Sequence, residues 1–284
     1  MVLLLAASGT FSCTGKKQAE DMSTADTVAV LTGNNPVAGR YAQSGDAKIY
    51  YEVYGQGKPL VLLHSDFYGY IDDFADYIPE LVKHHRVIAI GKRGHGKSEM
   101  GNAPFTEALF ADDVLAVLDH EKIERAAVLG FGGGATTAYY LAAHHAKRMV
   151  KVAGLAGLLS SEGYRKGVKE DLSKLTFKQI DENSHGFVIR RRRLMPQPQR
   201  LEELLDRLKA HWLSGTFVEE AGLQRISCPV LVVTGDRDYY QGMDVAIGIQ
   251  KAIPGARLKV VPGCDRAGLT LRPELLKNSI IPFL

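Results

Sequence analysis

Ala126-Ala127-Val128-Leu129-Gly130-Phe131-Gly132-Gly133-Gly134-Ala135 is the stretch on which the fold turns. An apolar run with strand character enters a glycine-rich turn, and a helical pattern follows as far as His145. Glycines at such a corner allow a tight reversal and let the helix pack closely on the strand it follows. Working outward, β-rich apolar runs cover Lys48 to Tyr54, Pro59 to His64, Arg86 to Ile90, Ala126 to Gly130, Val150 to Leu155, Pro229 to Thr234 and Arg257 to Val261. Helical patterns lie between and after them at Ile71 to Lys83, Thr106 to Leu118, Gly133 to His145, Met243 to Lys251 and Pro273 to Phe283. This alternation predicts a mostly parallel sheet flanked by helices, an α/β fold. It breaks once, where a charged helical segment fills about Leu158 to Leu223. No internal repeat is evident.

The chain has 284 residues with 45% hydrophobic content, enough for one large domain or a domain with an insertion. Its 35 basic and 32 acidic residues leave a net charge of +3, too small a field for nucleic-acid binding, so no nucleic-acid partner is expected. Cys13, Cys228 and Cys264 are too few and too far apart for a disulfide framework or a thiolate zinc site, and neither metal nor cofactor is expected.

Four landmarks recur in a fixed order. Val61-Leu62-Leu63-His64 ends a strand, Arg93-Gly94-His95-Gly96-Lys97-Ser98 follows the next, and the Gly130 to Gly134 turn comes third. Gly235-Asp236-Arg237-Asp238 and Val261-Pro262-Gly263-Cys264-Asp265-Arg266 then follow the last two strands. On these residues the chain resembles the α/β-hydrolase family, of the small esterase and peptidase type, over about Tyr50 to Leu284. The resemblance implies an α/β-hydrolase core at 41–157 and 224–284, with a helical cap inserted at 158–223.

The family's chemistry needs a nucleophile, a histidine base and an acid that orients the base. By the resemblance, Gly132 stands at the nucleophile position and Arg266 at the base position, while Asp238 keeps the acid. No Ser or Cys occurs between Ser98 and Ser160 to replace the nucleophile, and the histidines end at His211. A guanidinium remains protonated and is no general base. Ser65 and Gly91 also replace residues usual in the family, the glycine after His64 and the Asp before the Arg93 loop. These departures predict a non-hydrolytic protein that binds a small anionic or acyl-bearing ligand or a partner. A hydrolase of altered mechanism, or with a nucleophile relocated to Ser65, is the alternative.

The candidate ligand-binding residues are His64, Ser65, Phe131, Gly132, Gly133, Gly134 and Arg266. The glycines open a helix N-terminus, where unpaired N–H groups favour an anion, and Arg266 would grip a carboxylate, sulfate or phosphate. Against this stands a plainer reading, in which Asp238 and Arg266 pair and plug the space. Asp66, Phe67 and Tyr68 are the expected wall beyond the glycines. Two phosphate-loop patterns also match, Gly91 to Ser98 and Gly130 to Ala135. The first lacks a helix at its end, because Gly101 and Pro104 interrupt it, and the second lacks its distal acidic residue. Arg190 to Arg193 reads as a solvated helix face or a contact for an acidic ligand or lipid headgroups.

Met1 to Ala7 is an apolar run followed by small residues and Cys13, which resembles a bacterial lipoprotein signal. The resemblance implies lipidation of Cys13, a polar tether within residues 1–40 and a place in the bacterial cell envelope. A cytoplasmic protein with an uninformative N-terminus is the alternative.

Overall fold

The computed structural model describes residues 32–271 and 273–284. Cys13 and the rest of the signal-like segment lie outside them. Eight strands form one sheet: β1 (Gly39–Ser44), β2 (Ala47–Tyr54), β3 (Lys58–Leu63), β4 (His85–Ile90), β5 (Ala126–Phe131), β6 (Met149–Leu155), β7 (Val230–Gly235) and β8 (Arg257–Val261). Their order is β1-β2-β4-β3-β5-β6-β7-β8. The β1–β2 and β2–β4 pairs are antiparallel and the remaining pairs are parallel.

The sheet is covered on both faces, and period-two alternation decides which residue goes where. Val61, Leu63, Ile88, Ile90, Val128 and Val152 face one core with Val114, Leu118, Leu141 and Ile249. Leu60, Leu62, Val87, Ala89, Leu129 and Ala153 face the other with Phe74, Tyr77, Leu81 and Phe283. The helices of the first face are α1 (Glu107–His120), capped by Thr106 Oγ1 accepting from Leu109 N–H at 3.1 Å, and α2 (Gly133–His144). Between β6 and β7 the chain forms α3 (Val168–Lys174), α4 (Phe177–Leu194) and α5 (Leu201–Trp212), and α6 (Met243–Ala252) follows β7. Leu201, Leu204, Leu205, Leu208 and Trp212 recur at helical spacing and bury one face of α5 against Val168, Phe177, Ile180 and Phe67.

Three expectations need correction. Ile71 to Lys83 is not one helix but a 3₁₀ turn at Ile71–Phe74 and a single turn at Ile78–Leu81, because Pro79 has no N–H to carry a helix through. Pro273 to Phe283 begins as an α turn at Pro273–Leu275 and widens to a π turn at Leu276–Ile280. The strand β1 was not foreseen. It is a half-exposed edge strand paired only with β2, so burial imposes little pattern on Gly39-Arg40-Tyr41-Ala42-Gln43-Ser44.

The Gly91 to Ser98 loop is braced from inside. Arg93, fully buried, makes a bidentate pair with Asp113 (2.7 and 2.6 Å) and reaches Asp46 at 3.2 Å. Ser98 Oγ donates to Gly91 O at 2.7 Å and accepts from Tyr50 N–H at 2.8 Å. These bonds use the loop's own groups for support, and the next helix starts only at Glu107.

Candidate active-site cavity

A cavity of about 380 Å³ lies at the C-terminal ends of β3, β5, β6 and β7, under the helices inserted after β6. Its floor is the strand–helix corner. Gly132 has φ +56° and ψ −121°, a left-handed conformation that favours glycine, and its carbonyl accepts the first bonds of α2 from Ala135 and Thr136 N–H (3.0 and 3.2 Å). A Cβ at 132 would press on Ser65 Oγ and lie 3.1 Å from Ser65 Cβ and 3.4 Å from Arg266 Nη1. The room for a side chain at 132 is therefore taken by the Ser65 hydroxyl on one side and bordered by a guanidinium on the other.

Arg266 is fixed by three contacts. Its Nε donates to Asp238 Oδ1 at 3.3 Å, Nη2 lies 3.2 Å from Asp238 Oδ2, and Nη1 donates to Ala156 O at 2.8 Å. The guanidinium also stacks over the Tyr240 ring at 4.9 Å. Asp238 is fully buried and accepts a further bond from Tyr240 N–H at 2.8 Å. The plainer sequence reading, an Asp238–Arg266 pair, describes this geometry.

A carboxylate already sits at the start of α2. A Cβ on Gly133 would collide with both carboxylate oxygens of Asp66, so that group lies directly against the first turn. Asp66 Oδ1 accepts from Lys92 Nζ at 2.8 Å and Oδ2 from Trp212 Nε1 at 3.1 Å. Burial alone would raise the Asp66 carboxyl, but the Lys92 ammonium and its hydrogen bond hold it below the usual carboxylate range. The helix N-terminus favours the same charge. The Asp66 carboxylate thus already places a negative charge beside Gly133.

Of the candidate residues, Ser65, Phe131, Gly132, Gly133 and Arg266 line the cavity, with Asp66, Phe67 and Tyr68 as expected. His64, Gly134 and Asp238 stand behind the wall. His64 Nδ1 donates to Ser65 O at 2.6 Å and Nε2 accepts from Lys92 N–H at 2.9 Å, so the ring is a neutral brace between two loops. Burial, with His95 and Lys92 nearby, pushes its pKa well below the ordinary histidine value.

Several wall residues were not foreseen: Glu107, Thr136, Tyr164, His211, Trp212 and Tyr240. His211 and Trp212 continue the buried stripe of α5, and a histidine on that stripe was the available signal. Asp73 also reaches the cavity, and burial followed by the neighbouring Asp72 raises its carboxyl to about 7. In the arginine run, Arg191 pairs with Asp72 at 3.2 Å, whereas Arg190, Arg192 and Arg193 are exposed.

The sequence from 60 to 276 matches the family described as the alpha/beta hydrolase family. The chain belongs to that family. Its relatives include the putative carbamate hydrolase RutD of Azorhizobium caulinodans, 24% identical over 262 residues, covering 86% of this chain and 97% of the relative. The 2-hydroxymuconate semialdehyde hydrolase of Pseudomonas sp. is 26% identical over 252 residues, covering 81% and 88%. Among solved structures, a hydrolase from Pseudomonas aeruginosa superposes with a TM-score of 0.69 at 23% identity over 88% of this chain and 99% of its own. Carboxylesterase CesB from Bacillus subtilis gives 0.71 at 18% identity over 91% and 95%. The structural likeness establishes the α/β-hydrolase fold, and these two sequence relatives carry hydrolase names.

Proposed function

We propose that this α/β-hydrolase-fold protein binds a small, largely apolar, acyl-bearing molecule in the cavity and does not perform serine-type acyl transfer there. The observation that carries the reading is the crowding at Gly132: Ser65 fills the space of the missing side chain, and Arg266 borders it while paired to Asp238. Phe67, Tyr68, Phe131, Tyr164, Trp212 and Phe217 give the wall its aromatic character. The charged groups Asp66, Glu107 and Arg266 each have an internal partner, which suits a neutral ligand better than an anion.

Trp212 is the chain's single tryptophan and lines the cavity, so its fluorescence reports occupancy. Titration with 4-nitroacetophenone, a neutral, acyl-bearing nitroaromatic ketone, should quench it saturably. A fluorophosphonate probe on the same protein should leave every serine unmodified. An adduct at Ser65 would overturn the reading in favour of a relocated nucleophile, and linear, non-saturating quenching would remove the cavity as a binding site.

A further inference from the structure

The cap-side wall carries an imidazole–carboxylate pair, separate from the Asp238–Arg266 ion pair. His211, on the last turn of α5, donates from Nε2–H to Glu107 Oε1 at 2.9 Å. The other carboxylate oxygen accepts from Thr137 Oγ1–H at 2.8 Å, so both oxygens of Glu107 are held. Both partners are buried, with side chains 7% and 3% exposed. The imidazole is packed edge-on against Phe110 and beside Phe217, with ring centroids 5.4 and 5.1 Å away. With the Nε2 proton directed to Glu107, the lone pair belongs to Nδ1, which has no partner among the described residues. A fixed imidazole, oriented by a carboxylate and lining a cavity, has the parts of a general base.

We propose that His211 is a general base for a water molecule in this cavity, with Glu107 as its positioning residue, and that the substrate class is a small neutral aryl ester. The proposal rests on the reading that the cavity accepts a small acyl-bearing molecule. His211 Nδ1 takes a proton from water as the water oxygen bonds to the ester carbonyl carbon, and the π electron pair moves onto the carbonyl oxygen. The Arg266 guanidinium, on the same cavity wall and held by Asp238 and Ala156 O, contributes positive charge there without being free to move onto that oxyanion. Collapse re-forms the C=O bond, breaks the bond to the aryl oxygen, and returns the proton from His211 to the leaving group. Water and ester become acid and phenol, with no covalent enzyme intermediate. The Asp66 carboxylate beside Gly133 disfavours negative charge at that end of the cavity, and the step is confined to esters with good leaving groups.

The test uses 4-nitrophenyl acetate with the full chain, following nitrophenolate release and Trp212 quenching together. Expected are linear release above the buffer rate, no burst, and no fluorophosphonate adduct. His211→Gln should lower kcat by about 100-fold or more, with saturable 4-nitroacetophenone quenching retained. Glu107→Gln should lower kcat at retained KM and move the midpoint of the pH–rate profile, a shift that a merely structural role would not produce. Equal turnover by the parent and His211→Gln, with quenching intact in both, overturns the proposal. Quenching without turnover overturns it while leaving the binding reading standing, and absence of quenching overturns both.

Discussion

If Ser65 and Arg266 hold the space of the missing nucleophile, restoring a serine alone should fail. Gly132→Ser would place a Cβ against Ser65 Oγ and 3.1 Å from Ser65 Cβ, on a residue at φ +56°. The left-handed backbone costs about 1–3 kcal/mol for a non-glycine residue. Overpacking against Ser65 adds about 1–3 kcal/mol. The single variant should therefore lose about 2–6 kcal/mol, which at about 2–4 °C per kcal/mol is a Tm lowered by about 4–24 °C. Adding Ser65→Gly removes the collision and should recover about half of that loss, leaving only the backbone strain. Adding Arg266→His supplies a base within reach of the buried Asp238 carboxylate, and Asp66→Asn removes the negative charge against Gly133. Thermal unfolding and fluorophosphonate labelling read the series. The single variant should be destabilised and unlabelled, and the fourfold variant labelled at position 132. Labelling of Gly132→Ser alone, at unchanged Tm, would refute the claim that Ser65 occupies this space.

Three further outcomes follow from other parts of the molecule. Arg93→Met leaves Asp113 buried opposite an apolar chain and should cost about 3–5 kcal/mol, with most of it regained in Arg93→Met/Asp113→Leu; urea unfolding of the double-mutant cycle checks this, and additive losses would contradict it. Asp73 is raised to about 7, so its contribution to stability is full below the ordinary aspartate value and is lost as pH rises through about 7. His95 is lowered to about 4, chiefly by burial and then by Lys92, so its contribution is present above the ordinary histidine value and is lost as pH falls. The two slopes oppose each other, so Asp73→Asn should lose stability more steeply than the parent on acidification from pH 6.5 to 4, by at most about 1.4 kcal/mol per pH unit; parallel curves would exclude Asp73. If Cys13 carries an acyl chain, Cys13→Ser should move the full chain from the membrane fraction to the soluble fraction and abolish palmitate incorporation, whereas an unlabelled parent would dispose of the lipoprotein reading.

The fold was legible because the sheet is buried on both faces. Val61/Leu63 and Leu60/Leu62 must each satisfy a core, so β3 reads as a continuous apolar run, and β4 to β7 share that constraint. Where burial is one-sided or absent the pattern fades, as at β1, whose Tyr41 is exposed while Ala42 is buried. Pro79 was in plain view, yet the apolar residues Ile71, Phe74, Ile78 and Leu81 keep helical spacing through the break, and that spacing masked it.

The site was legible only where chemistry is tied to a landmark in the chain. Gly132, Asp238 and Arg266 sit at the ends of strands, so family order located them, and the ion pair between the last two follows from opposite charges brought to adjacent strand ends. The place of Asp66 just after β3 marks it as wall, but its carboxylate beside Gly133 depends on Lys92 and Trp212, which are 26 and 146 residues away. Glu107 and His211 are 104 residues apart, on helices from different layers, and neither matches a motif. Only the inserted helices bring them together. The glycine at position 132 is written locally, in one turn, whereas the His211–Glu107 pair is assembled from residues that the fold alone makes neighbours. Motifs therefore reach Gly132 and miss the His211–Glu107 pair, and that asymmetry makes the His211→Gln comparison more decisive than any further search for a serine.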